Sequence, residues 1–225
     1  MLQHIMFIHI FAKILIIKKQ MDTKTLFNER RSVNYFDKDR DIDEKLLKEI
    51  VNMAVLAPSG FNLQPWRIIA VKSKQNKQKL FELANKQEKV TDAAYTLIVV
   101  GNKNGYDDSN PVWDEMLQSV GGKTEMVNGA KKAAAYLYGT SEERKIKFAE
   151  SNAGLLAMSL MIAAKEFGVD SHPMSGIDFD GIHKEFGLKE GESVVMLICL
   201  GYFDTSKKLY PRRPRLSFEE ITTIV

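Results

Sequence analysis

Arginine side chains cluster at two distant places in this 225-residue sequence. One cluster lies in ERRSVNYF (residues 29–36) and the other in YPRRPR (residues 210–215). The guanidinium groups belong to Arg30, Arg31, Arg213 and Arg215. Such groups stay charged and match phosphate oxygens with paired hydrogen bonds, and Ser32 adds a hydroxyl donor. The two runs together predict a phosphate site, whereas each run alone is better explained as a charged helix end or a solvated basic tail.

Amide, hydroxyl, glycine and proline residues mark two further segments, APSGFNLQPW (57–66) and HPMSGID (172–178). The hydrogen-bonding residues are Ser59, Asn62 and Gln64, the glycines are Gly60 and Gly176, and the prolines are Pro58 and Pro173. Amide and hydroxyl groups read ring carbonyls and nitrogens, and glycine lets a flat ligand approach the backbone closely. Combined with the arginines, these segments predict a site for an anionic, planar ligand. Taken singly, each segment reads as an ordinary turn.

The elements that must position these segments alternate between helices and buried strands. Apolar residues recur at helical spacing after Asp41 and Asp43, either of which can cap that helix. RIIAV, YTLIVVG and SVVMLICLGY predict three buried strands. A long helix is predicted from Ser141 to Gly168. The pattern favours a central sheet covered by helices on both faces, and there is no glycine-rich dinucleotide fingerprint.

Composition narrows the functional class. The chain is 44% hydrophobic and 27% charged, with a formal net charge of +3, which is too small to favour nucleic acid. The single cysteine, Cys199, lies in an apolar run, so we expect a buried thiol and a reducing, cytoplasmic compartment. The four histidines lack metal-ligand spacing, so no metal is expected. No membrane association is expected either.

Residues 1–20 differ from the rest of the chain. They are apolar but interrupted by Lys13, and their clustered positive charge follows the apolar run instead of preceding it. We interpret this extension as an over-extended translation start before Met21; an amphipathic extension and a signal anchor are the alternatives. Residues 21–225 are then expected to form a single domain.

The four polar segments, in this order and spacing, resemble those of the FMN-dependent nitroreductase family. The resemblance covers about residues 24–225, nearly all of the chain outside the N-terminal extension. It implies an α+β fold with a central, mostly antiparallel sheet flanked by helices. It also implies an intertwined homodimer with an exchanged C-terminal strand, FMN at the subunit interface, and the AGLLAMSLMIAA helix in the dimer core.

The resemblance assigns roles by motif. Arg30, Arg31, Ser32, Arg213 and Arg215 would hold the FMN phosphate. Pro58, Ser59, Gly60 and Asn62 would come from the other subunit and line the flavin, with Gln64 beside them. Pro173, Met174, Ser175 and Gly176 would lie against the flavin, with the Ser175 N–H donating to flavin N5 and Gly176 supporting it.

One position departs from the family pattern. Asn34 stands where many members place Lys or Arg near the pyrimidine end of the flavin. A cation there would stabilise the negative charge of the reduced flavin. Lys89, with Gln87 nearby, is the candidate replacement.

The implied activity is hydride transfer from NAD(P)H through FMN to a nitroaromatic, quinone or similar aromatic acceptor, by a ping-pong mechanism. Aromatic residues of the 104–138 region are either pocket-lining or ordinary core residues. They are Tyr106, Trp113, Tyr136 and Tyr138. The alternatives are a flavin carrier or sensor and a specialised dehalogenase or dehydrogenase.

Overall fold

A four-stranded sheet organises residues 21–225, the part of the chain that the structure, a computed structural model, describes. The strands are β1 (Trp66–Val71), β2 (Tyr95–Asn102), β3 (Asp170–Met174) and β4 (Glu192–Gly201). They are arranged in the order β1-β2-β4-β3, and each neighbouring pair is antiparallel. The predicted α+β fold with an antiparallel sheet is confirmed. The predictions for residues 1–20 lie outside the described residues.

Helices cover this sheet. They are α1 (Thr23–Glu29), α2 (Glu44–Ala54), α3 (Lys74–Leu83), α4 (Lys89–Asp92), α5 (Val112–Ser119), α6 (Thr124–Tyr138), α7 (Glu142–Glu166), α8 (Phe179–Glu185) and α9 (Phe218–Ile221). The capping predictions hold: Asp43 accepts from the Leu46 N–H at 2.7 Å, and Ser141 accepts from the Arg144 N–H at 3.2 Å. None of the helices within residues 21–225 is both long and apolar enough to cross a membrane.

Strand β2 is buried on both faces, which explains its continuous apolar sequence. Leu97 and Val99 face the core that contains α7, whereas Ile98 and Val100 face the core beneath α3 and α8. Cys199 of β4 lies in the second core and is fully buried, and burial raises the pKa of its thiol to about 12. The predicted structural role of this thiol follows, because a thiol that is neutral at physiological pH is a poor nucleophile.

The local pattern missed two elements. Residues 170–174, expected as part of a loop, form strand β3, which lies at the edge of the sheet, where a proline such as Pro173 is tolerated. The stretch 121–138, for which the sequence analysis names no helix, contains the single helix α6, which continues through Gly129. Burial of Val127 and Ala134 in the core offsets the weak helix propensity of that glycine.

In the single chain, the C-terminal segment does not form the predicted strand. Residues 218–221 form the short helix α9, and residues 211–225 are all exposed. Within the described chain, no strand follows β4. An exchanged strand needs a second chain to pair with, so this feature stays a prediction about the dimer.

Candidate functional site

The structure brings arginines of residues 29–36 close to arginines of residues 210–215. Arg212 donates to the carbonyl oxygens of Asn28 at 2.6 Å and Arg30 at 2.8 Å. Arg31 donates to the Tyr210 carbonyl. Helix α1 ends with carbonyl groups that lack intrahelical donors, and Arg212 supplies one. These contacts fasten the C-terminal segment against the end of α1.

Positive charge is concentrated at this junction. Burial lowers the pKa of Arg30, and the nearby charges of Arg212, Arg215 and Arg31 lower it further. Among the described residues, none of these arginines forms an ion pair with a carboxylate. Repulsion of this kind is relieved by a bound anion, which favours a phosphate site. We call the four arginines of the predicted phosphate site, Arg30, Arg31, Arg213 and Arg215, the arginine cluster. The charges of Arg31 and Arg215 act on Arg30, whereas Arg213 and Ser32 lie exposed nearby in the sequence.

A second cationic centre surrounds Lys89. It reaches the arginine cluster through Asn34, which follows Arg30 by four residues. The Lys89 ammonium lies 3.2 Å from the Asn34 side-chain oxygen and 3.4 Å from that of Gln87. It also lies 3.5 Å from Nε2 of His172. All three partners are neutral. The predicted proximity of Lys89, Gln87 and Asn34 is therefore present in the structure.

His172 acts as a neutral acceptor in this centre. Its Nδ1 lies 2.9 Å from the Val33 carbonyl oxygen, which can only accept, so Nδ1 carries the proton and Nε2 faces Lys89 unprotonated. Burial lowers the pKa of His172 to about 4, with the Lys89 charge as a second cause. The imidazole is consequently neutral at physiological pH.

The loop after β3 is tied to the Lys89 centre. The Gly176 carbonyl accepts from Asn85 Nδ2 at 2.9 Å and from Gln87 Nε2 at 3.2 Å. Within residues 21–225, the backbone N–H groups of Ser175 and Gly176 donate no hydrogen bond, and both residues are exposed. These two N–H groups are available to a ligand acceptor.

The two residues before Ser175 belong to strand β3. Pro173 is half-buried. Met174 has its side chain in the core, with its sulfur 3.8 Å from that of Cys199. Only the backbone of Met174 is left for a ligand contact.

The segment 57–66 forms a strained loop, held by hydrogen bonds, at the other edge of the sheet. Gly60 N–H donates to Asn152 Oδ1 at 2.9 Å, and Ser59 Oγ accepts from Gln64 N–H at 3.0 Å. Phe61, Asn62 and Gln64 have positive φ angles of 53°, 57° and 48°. Non-glycine residues in this region cluster at functional sites, because surrounding contacts must hold them there. Pro58 and Asn62 are exposed at the loop surface.

An aromatic wall borders this loop. Tyr138 stacks on Phe148 with ring centroids 4.2 Å apart, and Tyr106 contacts both rings. Tyr138, Phe148, Gly60 and Asn152 line a cavity of about 480 Å³. A Cβ atom on Gly60 would lie 2.4 Å from the Tyr138 hydroxyl, so a larger residue there would displace the Tyr138 side chain.

The remaining aromatic candidates do not line this cavity. Trp113 is 2% exposed and belongs to the core, with its indole N–H donating to the Asp107 carbonyl. Tyr136 is exposed on the surface of α6.

The two halves of the predicted site lie apart within one chain. The 57–66 loop leads into β1, whereas Ser175 follows β3, and these strands form opposite edges of the sheet. Three inter-strand spacings correspond to a lateral separation of ~14 Å. Within the described residues, no hydrogen bond joins the 57–64 loop to residues 172–176. One chain therefore keeps these two groups of predicted site residues apart.

Three residues of the site were missed by sequence reasoning. Arg212 lies in the YPRRPR run, and the need of α1 for a C-terminal donor is the signal that indicates it. Asn85 has a positive φ of 52°, which asparagine tolerates better than most residues. His172 carried no signal, because its partners Val33 and Lys89 are far away in sequence.

Comparisons with known proteins find chains similar to this one. The model of the nitroreductase family matches residues 28–202. A Bacillus subtilis protein assigned as the NAD(P)H nitroreductase MhqN is 32% identical over 191 residues, which cover 84% of this chain and 91% of the relative. A Thermus thermophilus protein named NADH dehydrogenase is 30% identical over 202 residues, 89% of this chain and 95% of the relative.

A solved structure shares the architecture. It is a protein from Exiguobacterium sibiricum, assigned as a nitroreductase and solved in complex with FMN. It superposes with a TM-score of 0.79 at 27% identity, over 90% of this chain and 97% of that one.

Proposed function

The chain belongs to the nitroreductase family, and from that premise we propose that it is an FMN-dependent oxidoreductase that takes hydride from NAD(P)H. The family assignment supports a flavin oxidoreductase, and the residues present fit FMN. The observation that carries the proposal is the continuous stretch from Arg30 to Asn34, which joins the arginine cluster to the Lys89 centre. Four residues span at most ~14 Å, a distance suited to one elongated anionic ligand.

The arginine cluster would hold the FMN phosphate. Arg30 and Arg31 lie at the end of α1, the charge of Arg215 acts on Arg30, and Arg213 belongs to the same fastened C-terminal segment. Guanidinium groups already repelling one another would gain from a dianion, and Ser32 would add a hydroxyl donor. The contact between Arg212 and α1 would position the cluster without touching the phosphate.

The Lys89 centre and the loop after β3 would hold the flavin ring. When bound, FMN supplies the redox chemistry, accepting hydride at N5 and passing electrons on. The Ser175 N–H, supported by Gly176, would donate to N5. Lys89, held by Asn34, Gln87 and His172, would place positive charge at the pyrimidine end, where negative charge develops on reduction.

We propose that a homodimer completes the site, because each chain presents only two separated half-sites. Residues 58–62 of one protomer would then face the ring held by the other. Leu155 and Met158 are 46% and 36% exposed on one face of α7, and Leu56 after the adjoining α2 is 82% exposed. Unpartnered apolar side chains of this size favour a subunit interface.

The 480 Å³ cavity beside Tyr138 and Phe148 would contribute to the acceptor pocket. Its size falls within the ~300–1,000 Å³ range of small-molecule sites. An aromatic wall suits flat acceptors such as nitroarenes and quinones. Because NAD(P)H and the acceptor would occupy the same space in turn, the kinetics should be ping-pong.

The dimer and the reaction are tested together with purified protein. The double variant Leu155→Glu/Met158→Glu should sediment as a monomer, lose FMN and lose NAD(P)H-dependent turnover of nitroarenes and quinones. The control variant Lys132→Glu, on α6, should remain a dimer and keep both FMN and turnover. A monomeric variant that keeps stoichiometric FMN would contradict the two-chain site. Intersecting instead of parallel double-reciprocal plots would contradict the ping-pong order.

A further inference from the structure

A large cavity lies outside the proposed flavin site. It has a volume of about 610 Å³ and is bordered by the loop before α2, the start of α3 and the residues that connect α4 to β2. Its basic side chains are Lys38, Arg40, Lys72, Lys74 and Lys77. We call this cavity the basic pocket. It shares no residue with the arginine cluster, the Lys89 centre or the 57–66 loop.

The charges of the basic pocket do not balance. Its two carboxylates are each paired already, Asp41 with Lys72 at 2.9 Å and Asp92 with Lys38 at 3.1 Å. Three cations lack a carboxylate partner among the described residues. They are Arg40, Lys74 and Lys77. Three unpaired cations around one concavity indicate a ligand with more than one negative charge.

Lys77 is the cation of the basic pocket whose charge is least hydrated. It is the half-buried member of the unpaired set, and its ammonium donates to the Ala93 carbonyl. Burial lowers its pKa, because the charged form has lost part of its hydration. An anion beside Lys77 would restore the lost interaction.

Arg40 packs against an aromatic ring. Its guanidinium carbon lies over the Tyr202 ring, 3.6 Å from the ring centroid. Within residues 21–225, its side-chain N–H groups make no hydrogen bond, so they are available to a ligand. The planar guanidinium fork matches phosphate oxygens bidentately. The pocket also lies at the first turn of α3, whose N-terminal N–H groups add partial positive charge.

We propose that the basic pocket is a second anion site, which binds a ligand carrying a diphosphate group. A diphosphate supplies enough negative charge to serve all three unpaired cations, and the cavity volume suits a nucleotide-sized molecule. The cations gather around a single concavity, whereas nucleic acid needs a basic stripe along its backbone. The ligand is either a free nucleoside diphosphate or the diphosphate of the nicotinamide cofactor.

The test is calorimetric titration of inorganic pyrophosphate into FMN-saturated protein at low ionic strength. FMN keeps the arginine cluster filled, and the Arg30→Ala/Arg213→Ala chain should bind pyrophosphate as the parent does, which separates this site from the proposed phosphate clamp. We expect one saturable site per chain. Arg40→Gln and Lys77→Met should each weaken binding roughly tenfold or more.

Matched variants keep the result interpretable. Lys48→Gln, on the exposed surface of α2, should bind as the parent does. If Lys77→Met fails to fold, Lys74→Gln changes an exposed residue of the same pocket and should also weaken binding. Absence of saturable binding, or equal binding by the parent and by Arg40→Gln, would overturn the proposal.

The same variant identifies the source of the diphosphate. If Arg40→Gln raises the KM for NADPH or NADH at unchanged kcat, the pocket binds the nicotinamide cofactor. If pyrophosphate binding is lost and both KM values stay unchanged, the pocket binds a separate nucleotide, and ADP should then compete with pyrophosphate. Both results support a diphosphate site.

Discussion

The arginine cluster and the Lys89 centre are both cationic, yet they are built differently. Arg213 and Arg215 are exposed, whereas burial and then the charges of neighbouring arginines lower the pKa of Arg30. Lys89 is half-buried and meets neutral oxygen and nitrogen acceptors from Asn34, Gln87 and His172. The arginines of the first centre repel one another unless an anion is bound, whereas the ammonium group of Lys89 already has hydrogen-bond partners within the protein.

This difference indicates that the two centres have different roles towards bound FMN. A repulsive cluster gains most from a permanent dianion and should therefore determine how tightly FMN is held. A satisfied, fixed cation changes little when a neutral ring binds, but it stabilises negative charge that forms later. The Lys89 centre should therefore act mainly on the reduction potential of bound FMN. The predictions below separate these two roles.

The largest effect is expected at the arginine cluster. In Arg30→Ala/Arg213→Ala, each lost hydrogen bond to phosphate removes roughly 1.5–3 kcal/mol. Together the changes should weaken FMN binding by at least ~100-fold, so that the cofactor is lost on dilution. Fluorescence of released FMN measures the loss. A double variant that keeps stoichiometric yellow cofactor would refute the phosphate assignment, and the exposed Lys48→Ala provides the control.

The variant Lys89→Met should change the reduction potential of bound FMN more than it changes the affinity for FMN. Losing a charged partner of the reduced flavin costs roughly 1.5–3 kcal/mol, which lowers a two-electron potential by ~30–60 mV. Equilibration of the bound flavin with reference dyes measures the shift. Lys86→Met, which removes a neighbouring exposed lysine paired with Glu82, serves as the matched control. Equal potentials in the two variants would remove Lys89 from the flavin environment.

Salt should distinguish the two centres without mutation. The Debye screening length falls from ~10 Å at 0.1 M salt to ~3 Å at 1 M salt, and screening acts mainly on exposed charges. The FMN dissociation constant should therefore rise several-fold across this range. The potential difference between the parent and Lys89→Met should change far less. If both quantities respond alike, the two centres do not differ as described.

The smallest effect concerns His172 and pH. Its pKa is lowered from 6.5 to about 4, so between these values the unfolded chain binds more protons than the folded one. Stability should therefore fall as pH decreases through this window. His172→Asn should flatten that part of the profile in urea unfolding of the FMN-free protein, whereas His183→Asn serves as the control. An unchanged slope would argue against a neutral, buried imidazole beside Lys89.

Local chemistry made much of the fold predictable. Asp43 and Ser141 cap helices because their short side chains reach free N–H groups, and β2 and β4 read as buried strands because of their continuous apolar runs. Strand β3 was missed because Pro173 and its polar neighbours carry a turn signal. Pairing with β4, a tertiary contact, outweighs that signal.

The site was predictable by residue type more than by arrangement. Guanidinium and glycine chemistry indicated the polar segments, but no local pattern reports that residues 34, 89 and 172 meet. These contacts depend on how β3 and α4 are placed around the sheet edge. The neutral tautomer of His172 follows from the Val33 carbonyl, which only the folded chain brings within 2.9 Å.

Anaerobic mixing of the FMN-loaded protein with NADH and NADPH tests the central claim most directly. The account predicts that at least one nicotinamide bleaches the yellow absorbance of the bound flavin, and that a nitroarene or quinone then restores it. Failure of both NADH and NADPH to bleach the flavin would contradict the reductase function and favour a flavin carrier or sensor.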